Sequence, residues 1–196
     1  MTAKKENAVI YQLKVTLKHS SPPIWRRIQV PGDITLAKLH HILQATMMGW
    51  EDYHLHQFVV GDLRDRRASV YYGQPTPDDW GIELQDERQV KLKQVAPREK
   101  IKFIYEYDFG DNWEHELLVE KILPPEPGVT YPRCLKGKGA CPPEDVGGVW
   151  GYYSFLEAIQ DPNHPEHEDM LDWIGGEFDP EAFDLDEINQ ALQHFK

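Results

Sequence analysis

Two carboxylates and an imidazole lie close together in the stretch Ile101–Ile122, IKFIYEYDFGDNWEHELLVEKI: Asp108, Asp111 and His115. Grouped in space, such side chains can hold a divalent cation or do acid–base work. Turn chemistry competes with that reading, because Asp and Asn side chains bond nearby backbone N–H groups. A second group is His54-Leu55-His56. Two histidines at i and i+2 on a strand point the same way, but a metal needs a third ligand, for which His115 or a loop carboxylate would serve. A third is Pro142-Pro143-Glu144-Asp145-Val146-Gly147-Gly148. There Glu144 and Asp145 could cap the following helix or face a ligand; the Lys and Ser/Thr of a phosphate loop are missing. Cys134 and Cys141 stand farther apart than the pairs of structural zinc sites and have no second pair, so buried thiols are expected. His164 and His167 sit among Glu166, Glu168 and Asp169 at a helix start, where acids suit the helix dipole. None of the Gly-x-Ser-x-Gly, His-Glu-x-x-His or Gly-x-Gly-x-x-Gly signatures occurs.

Alternating runs must position these groups. The stretch around Asp111 is two such runs joined by Gly110-Asp111-Asn112, the pattern of a β-hairpin. A three-residue loop over Gly110–Asn112 pairs Phe109 with Trp113, Tyr107 with His115, Tyr105 with Leu117 and Phe103 with Val119. It collects the large apolar groups on one face, and Gly110 supplies a positive φ. Val9–Leu17 and Ile24–Val30 are strands by the same alternation, separated by Ser20-Ser21-Pro22-Pro23. Leu36, Leu39, Ile42, Leu43 and Met47 form a helical stripe over Leu36–Met48, capped by Thr35 and stopped by Gly49. His40 and His41 fall beside or opposite that stripe. A strand follows at His54–Val60, then an irregular segment with a short strand near Ser69–Tyr72, and an edge strand at Val90–Val95.

Pro124–Trp150 is expected to be a long ordered loop. Three helices close the chain: Tyr152–Gln160, one opening at Pro165, and one capped by Asp184 with Glu187 three residues on and Phe183 against Ile188. Strands first and helices last predict an α+β fold. The sheet is largely antiparallel, one helix is inserted early, and a group of about three helices packs on one face or end. Residues 1–8 form a tail and residues 9–196 a single domain.

Composition narrows the function. The 196 residues are 40% apolar and include 6 Trp, 9 Tyr and 7 Phe, enough for a packed interior. A net charge of −12, with only small basic clusters, disfavours nucleic acid and favours a protein partner. No apolar run approaches the roughly 20 residues of a membrane span. MTAKKENAV lacks the apolar core of a secretory signal, and two cysteines are too few for a disulfide framework. These features predict a cytoplasmic protein.

The segments HLHQF, YEYDFGDNWEHEL, CPPEDVGG, GYYSFLEAI and FDPEAFD resemble the plasmid pRiA4b ORF-3-like family over roughly Val9–Leu192. The resemblance implies one α+β domain from bacteria or archaea, often encoded near plasmid or transposon-related genes, with no established activity. It makes His56, Asp108, Gly110, Asp111, His115, Glu144 and Asp145 motif positions. Many relatives carry a third cysteine where this chain has Val146, which argues against a cysteine-held metal here. The expectation is a binding or accessory module whose surface is built from His56, Asp108, Asp111, His115, Glu144 and Asp145. The alternative is a hydrolase or nuclease holding a divalent metal among Asp108, Asp111, His115 and Glu144 or Asp145.

Overall fold

The computed structural model describes residues 8–47, 50–75 and 84–196. Of the expected tail, only Ala8 is among them, and the Gly49 helix stop lies outside them. The strands are β1 (Ile10–Leu17), β2 (Trp25–Pro31), β3 (His56–Val60), β4 (Val70–Gly73), β5 (Leu84–Asp86), β6 (Lys102–Tyr107), β7 (Trp113–Leu123) and β8 (Arg133–Lys138). They make one sheet in the order β5-β4-β3-β6-β7-β1-β2-β8. Every pairing is antiparallel except β4 with β5. The helices are α1 (Leu36–Met47), α2 (Leu92–Val95), α3 (Gly148–Gln160), α4 (His167–Ile174) and α5 (Leu185–Ala191). The fold is therefore α+β, with one long helix early and three helices at the end. No helix among the described residues is long and apolar enough to cross a membrane.

Alternation sorts the sheet into two faces. Leu13, Val15, Leu17, Ile28, Val30, Phe58, Phe103, Tyr105, Tyr107, Trp113, Leu117 and Val119 point inward and are buried. The opposite face is laced by polar pairs: Arg27 Nε donates to Glu120 at 2.6 Å, Gln12 donates to Glu120 at 2.9 Å, and Arg133 donates to Gln29 at 2.7 Å. Helix α1 covers the inward face with Leu36, Leu39, Ile42, Leu43 and Met47, all within the same core. Thr35 Oγ1 accepts from the Lys38 N–H at 3.1 Å, which caps the helix.

Two segments differ from the pattern-based expectation. Val90–Val95 is not an edge strand: Lys91 makes an isolated bridge to Thr35, and Leu92–Val95 is a single helical turn. Leu92 N–H donates to Ile34 O at 2.9 Å, so its backbone groups serve the approach to α1 rather than a sheet edge. Leu92 and Val95 are both buried, a spacing that fits a helical turn better than a strand. The supposed loop 124–150 contains β8, which pairs with β2 and is held by α5: Asn189 accepts from Cys134 N–H at 2.8 Å and donates to Cys134 O at 3.0 Å. Only Cys134 is buried in RCLKGK, so no apolar alternation marks it.

The Asp184 cap is present, with its side chain accepting from Asp186 N–H at 2.9 Å and Glu187 N–H at 3.0 Å. Asp184→Ala should lower the unfolding free energy by about 1 kcal/mol, read as a lower urea midpoint at unchanged slope.

Candidate functional site

The β6–β7 hairpin ends in a longer loop than the pattern suggests. Tyr107 pairs with Trp113, Tyr105 with His115 and Phe103 with Leu117, leaving residues 108–112 as the connection. The pairing is thus shifted by two residues from the expected one. A two-residue shift keeps every side chain on its own face, so the apolar pattern cannot distinguish the registers. The loop is closed by its own polar groups. Asn112 N–H donates to Asp108 O at 2.6 Å, and Gly110 N–H donates to Asp108 Oδ1 at 2.9 Å. Asp108 and Asn112, not Gly110, take the left-handed backbone, with φ of 55° and 56°.

This tip docks on the segment before α3. Asp111 Oδ2 accepts from Gly147 N–H at 3.0 Å. Tyr107 Oη donates to Glu144 Oε1 at 2.5 Å, and Glu51 N–H donates to Glu144 Oε2 at 2.6 Å. Trp50 Nε1 donates to Pro142 O at 2.9 Å, and its ring stacks on Tyr107 with centroids 5.0 Å apart. Burial and the Glu144 bond hold the Tyr107 phenol well above its ordinary value, so it stays a donor. Asp145 bonds the Tyr53 hydroxyl and, at 3.0 Å, His54 Nε2. These contacts hold its carboxyl below the ordinary range and raise Tyr53 to about 12. Asp108 Oδ2 lies 3.6 Å from the same His54 nitrogen.

Asp108, Asp111, Glu144 and Asp145 are therefore brought together. Among the described residues none of the four makes an ion pair with Lys or Arg. The two histidines of the expected surface are elsewhere. His115 lies in the core with no exposed surface, edge-on to Trp50 at 5.6 Å, and neither ring nitrogen has a hydrogen-bond partner. A ring facing inward from the centre of a sheet cannot reach the carboxylates of the rim, of which Asp145 is the exposed one and Asp108 is buried. His56 turns toward α1, its Nε2 2.8 Å from Glu87 and its ring stacked on His40 at 3.5 Å. Burial raises the Cys134 thiol, which keeps it from being a ready thiolate.

The sequence pairs His54 with His56 and a loop carboxylate; Asp145 is that carboxylate, whereas His56 points away and Tyr53 has no role in that pattern. The grouped ligands are His54, Asp108 and Asp145, whose donor atoms lie within 4.8 Å of one another. Large apolar groups are exposed on the same segments. Tyr53, Leu55, Phe109 and Trp150 are exposed by 57%, 49%, 50% and 80%. Leu55 O accepts from Asp108 N–H, Phe109 is in the turn, and Trp150 follows the Gly147-Gly148 step against which Asp111 packs.

The fold and rim define a class: an α+β protein with a largely antiparallel sheet, whose central hairpin presents an acidic tip locked to a Pro/Gly segment. The chain belongs to the plasmid pRiA4b ORF-3-like protein family, whose model matches residues 9–187. It is 41% identical over 187 residues to the uncharacterized protein y4hQ of Sinorhizobium fredii, covering 94% of this chain and 91% of that one. It is also similar to the crystal structure of MM3350 from Methanosarcina mazei Go1, a protein of unknown function. That match has a TM-score of 0.81 at 42% identity, over 92% of this chain and 98% of the other.

Proposed function

We propose that the chain is a cytoplasmic binding module whose hairpin rim takes a basic, partly apolar peptide segment of a protein partner. One observation carries the reading: four exposed apolar side chains stand on the three segments that meet at four carboxylates, none of which pairs with Lys or Arg among the described residues. A Lys or Arg head would find carboxylates and aromatic faces at once, and its aliphatic stem would cover Leu55 or Phe109. Exposed aromatics grouped around one feature are the usual anchors of recognition. The hydrogen bonds between tip and Pro/Gly segment support a rim already shaped before binding. A link to plasmids or other mobile elements belongs to the same proposal and rests on the family's description.

Peptides selected from a random displayed library should contain Lys or Arg beside an aromatic or aliphatic residue. Their affinity should fall as salt rises and drop at least about tenfold in a Trp150→Ala/Asp145→Asn variant. Enrichment of acidic peptides, or equal binding by the variant, would overturn the proposal.

The hydrolase reading retains one observation in its favour, the His54, Asp108 and Asp145 donor set. It loses His115, which is buried beneath the sheet. Metal retained after purification and lost specifically in Asp145→Asn would favour it over the binding reading.

A further inference from the structure

We propose that His40, His41 and Asp52 form a binding site for a divalent transition-metal ion such as zinc or iron(II), with Tyr105 and Gln44 positioning His40. The site uses none of the rim's carboxylates as ligands, although Asp52 sits on the segment that also bonds Glu144 and Asp145. His40 Nε2 lies 2.8 Å from Asp52 Oδ1, and His41 Nδ1 lies 3.3 Å from Asp52 Oδ2. All three donor atoms are within 4.8 Å of one another. In a tetrahedral site with bonds of about 2.0–2.1 Å, ligand atoms stand roughly 3.3 Å apart, so small side-chain shifts would seat an ion. Two imidazole nitrogens and one carboxylate suit zinc or iron(II), whereas calcium and magnesium prefer oxygen ligands alone. Asp52 makes no Lys or Arg ion pair among the described residues.

The surroundings supply what a ligand set needs. A cleft of about 330 Å³ opens beside it, lined by His41, Gln44, Trp50, Asp52, Glu187 and Phe195 among others. Three protein ligands next to such a space leave coordination positions for water or an incoming group. Behind the set, His40 is only 3% exposed and its Nδ1 lies 2.7 Å from Tyr105 Oη. Gln44 Nε2 lies 2.8 Å from the same hydroxyl, while Gln44 Oε1 is buried without a partner.

This chain of groups has two polarities. In one, Gln44 donates to Tyr105, Tyr105 donates to His40 Nδ1, and His40 Nε2–H donates to Asp52. In the other, the Gln44 amide is turned so that Oε1 accepts from Tyr105, and Tyr105 Oη accepts from His40 Nδ1–H. The Nε2 lone pair then points at Asp52 and requires a cation between them. His40 carries one ring proton in both arrangements, so the metal takes the place of the Nε2 proton while Nδ1 gains one. Partners of this kind fix the ring and tautomer of metal-bound histidines.

The test is titration of chelator-stripped full-length protein with Co²⁺, followed by visible absorption, with Zn²⁺ in competition. One ion per chain is expected. His41→Ala, at a side chain 54% exposed, and Asp52→Asn should each weaken binding at least about tenfold. Tyr105→Phe should weaken it roughly 10–100-fold and shift the Co²⁺ bands, which a packing defect alone would not do. Asp145→Asn removes a donor of the separate His54 set, and one Co²⁺ per chain should still bind. No stoichiometric Co²⁺ or Zn²⁺, binding indifferent to His41→Ala and Asp52→Asn, or binding abolished by Asp145→Asn instead would each overturn the proposal.

Discussion

Gly148→Ala should destabilise the protein by about 3 kcal/mol and detach the hairpin tip from the Pro/Gly segment. Gly148 has φ of +69°, and a Cβ there would lie 2.4 Å from Asp111 O. That oxygen belongs to the backbone, so no side-chain rotation relieves the clash. Either the turn or the start of α3 must move, and the Asp111–Gly147 hydrogen bond goes with it. Gly128→Ala separates the two causes. Gly128 also has a positive φ, +77°, but nothing lies within 4 Å of its added Cβ, so only the backbone penalty of about 1 kcal/mol applies. Urea unfolding should rank the loss at Gly148 well above that at Gly128. Equal losses would show that tip and loop do not hold each other. If Gly148→Ala folds at low temperature, it should also bind the selected basic peptides more weakly than Gly128→Ala does.

The second large effect is acid-linked. His115 is fully buried, and burial lowers its pKa from 6.5 to about 4. Nearby Arg26 acts in the same direction. The backbone at Trp113 and Tyr105 opposes the shift, without a hydrogen bond of good geometry to either nitrogen. Between pH 4 and 6.5 the unfolded chain therefore binds a proton that the folded chain refuses. Stability should be fully expressed above about 6.5 and fall as pH drops toward 4, by roughly 3 kcal/mol from this residue. The carboxylates held low, Glu120 and Asp86 among them, add losses of the same sign that begin near the foot of that window, as pH falls through the ordinary carboxylate range, and continue below it. His40, also lowered by burial, adds slope of the same sign. In His115→Leu the slope between those pH values should flatten by about 1.4 kcal/mol per pH unit, one proton's worth. Stability at neutral pH should hold or rise, because two unpartnered buried nitrogens are removed. The wild-type ring can be followed directly by NMR: a His115 signal titrating near 6.5 would refute the burial argument.

Much of this architecture was legible in the chain. Period-two alternation located β1, β2, β3 and the β6–β7 hairpin, and the 3.6-residue stripe with Thr35 located α1. The Asp184 box located α5, because a cap is a local device whose partners lie within one turn. Strand β8 was hidden, since a short edge strand with one buried side chain shows no alternation and exists by pairing with β2. The turn of α2 was hidden because the partners of its first two N–H groups, Ile34 and Gly32, lie more than fifty residues away in sequence.

At the rim the same division holds. Residue types alone marked Asp108, Asp111, Glu144 and Asp145, because acids beside glycines and prolines at a turn are a local pattern. Which imidazole joins them was decided in three dimensions. His115 and His56 carried the stronger motif signals yet face the core and α1, while His54, just ahead of β3, meets Asp108 and Asp145. His40, His41 and Asp52 meet only because α1 crosses the sheet over Tyr105. Sequence set the inward face of every long strand, since burial rewards each apolar residue separately. Tertiary structure chose among arrangements that bury those residues equally, and there single hydrogen bonds and close backbone contacts decided which side chains meet.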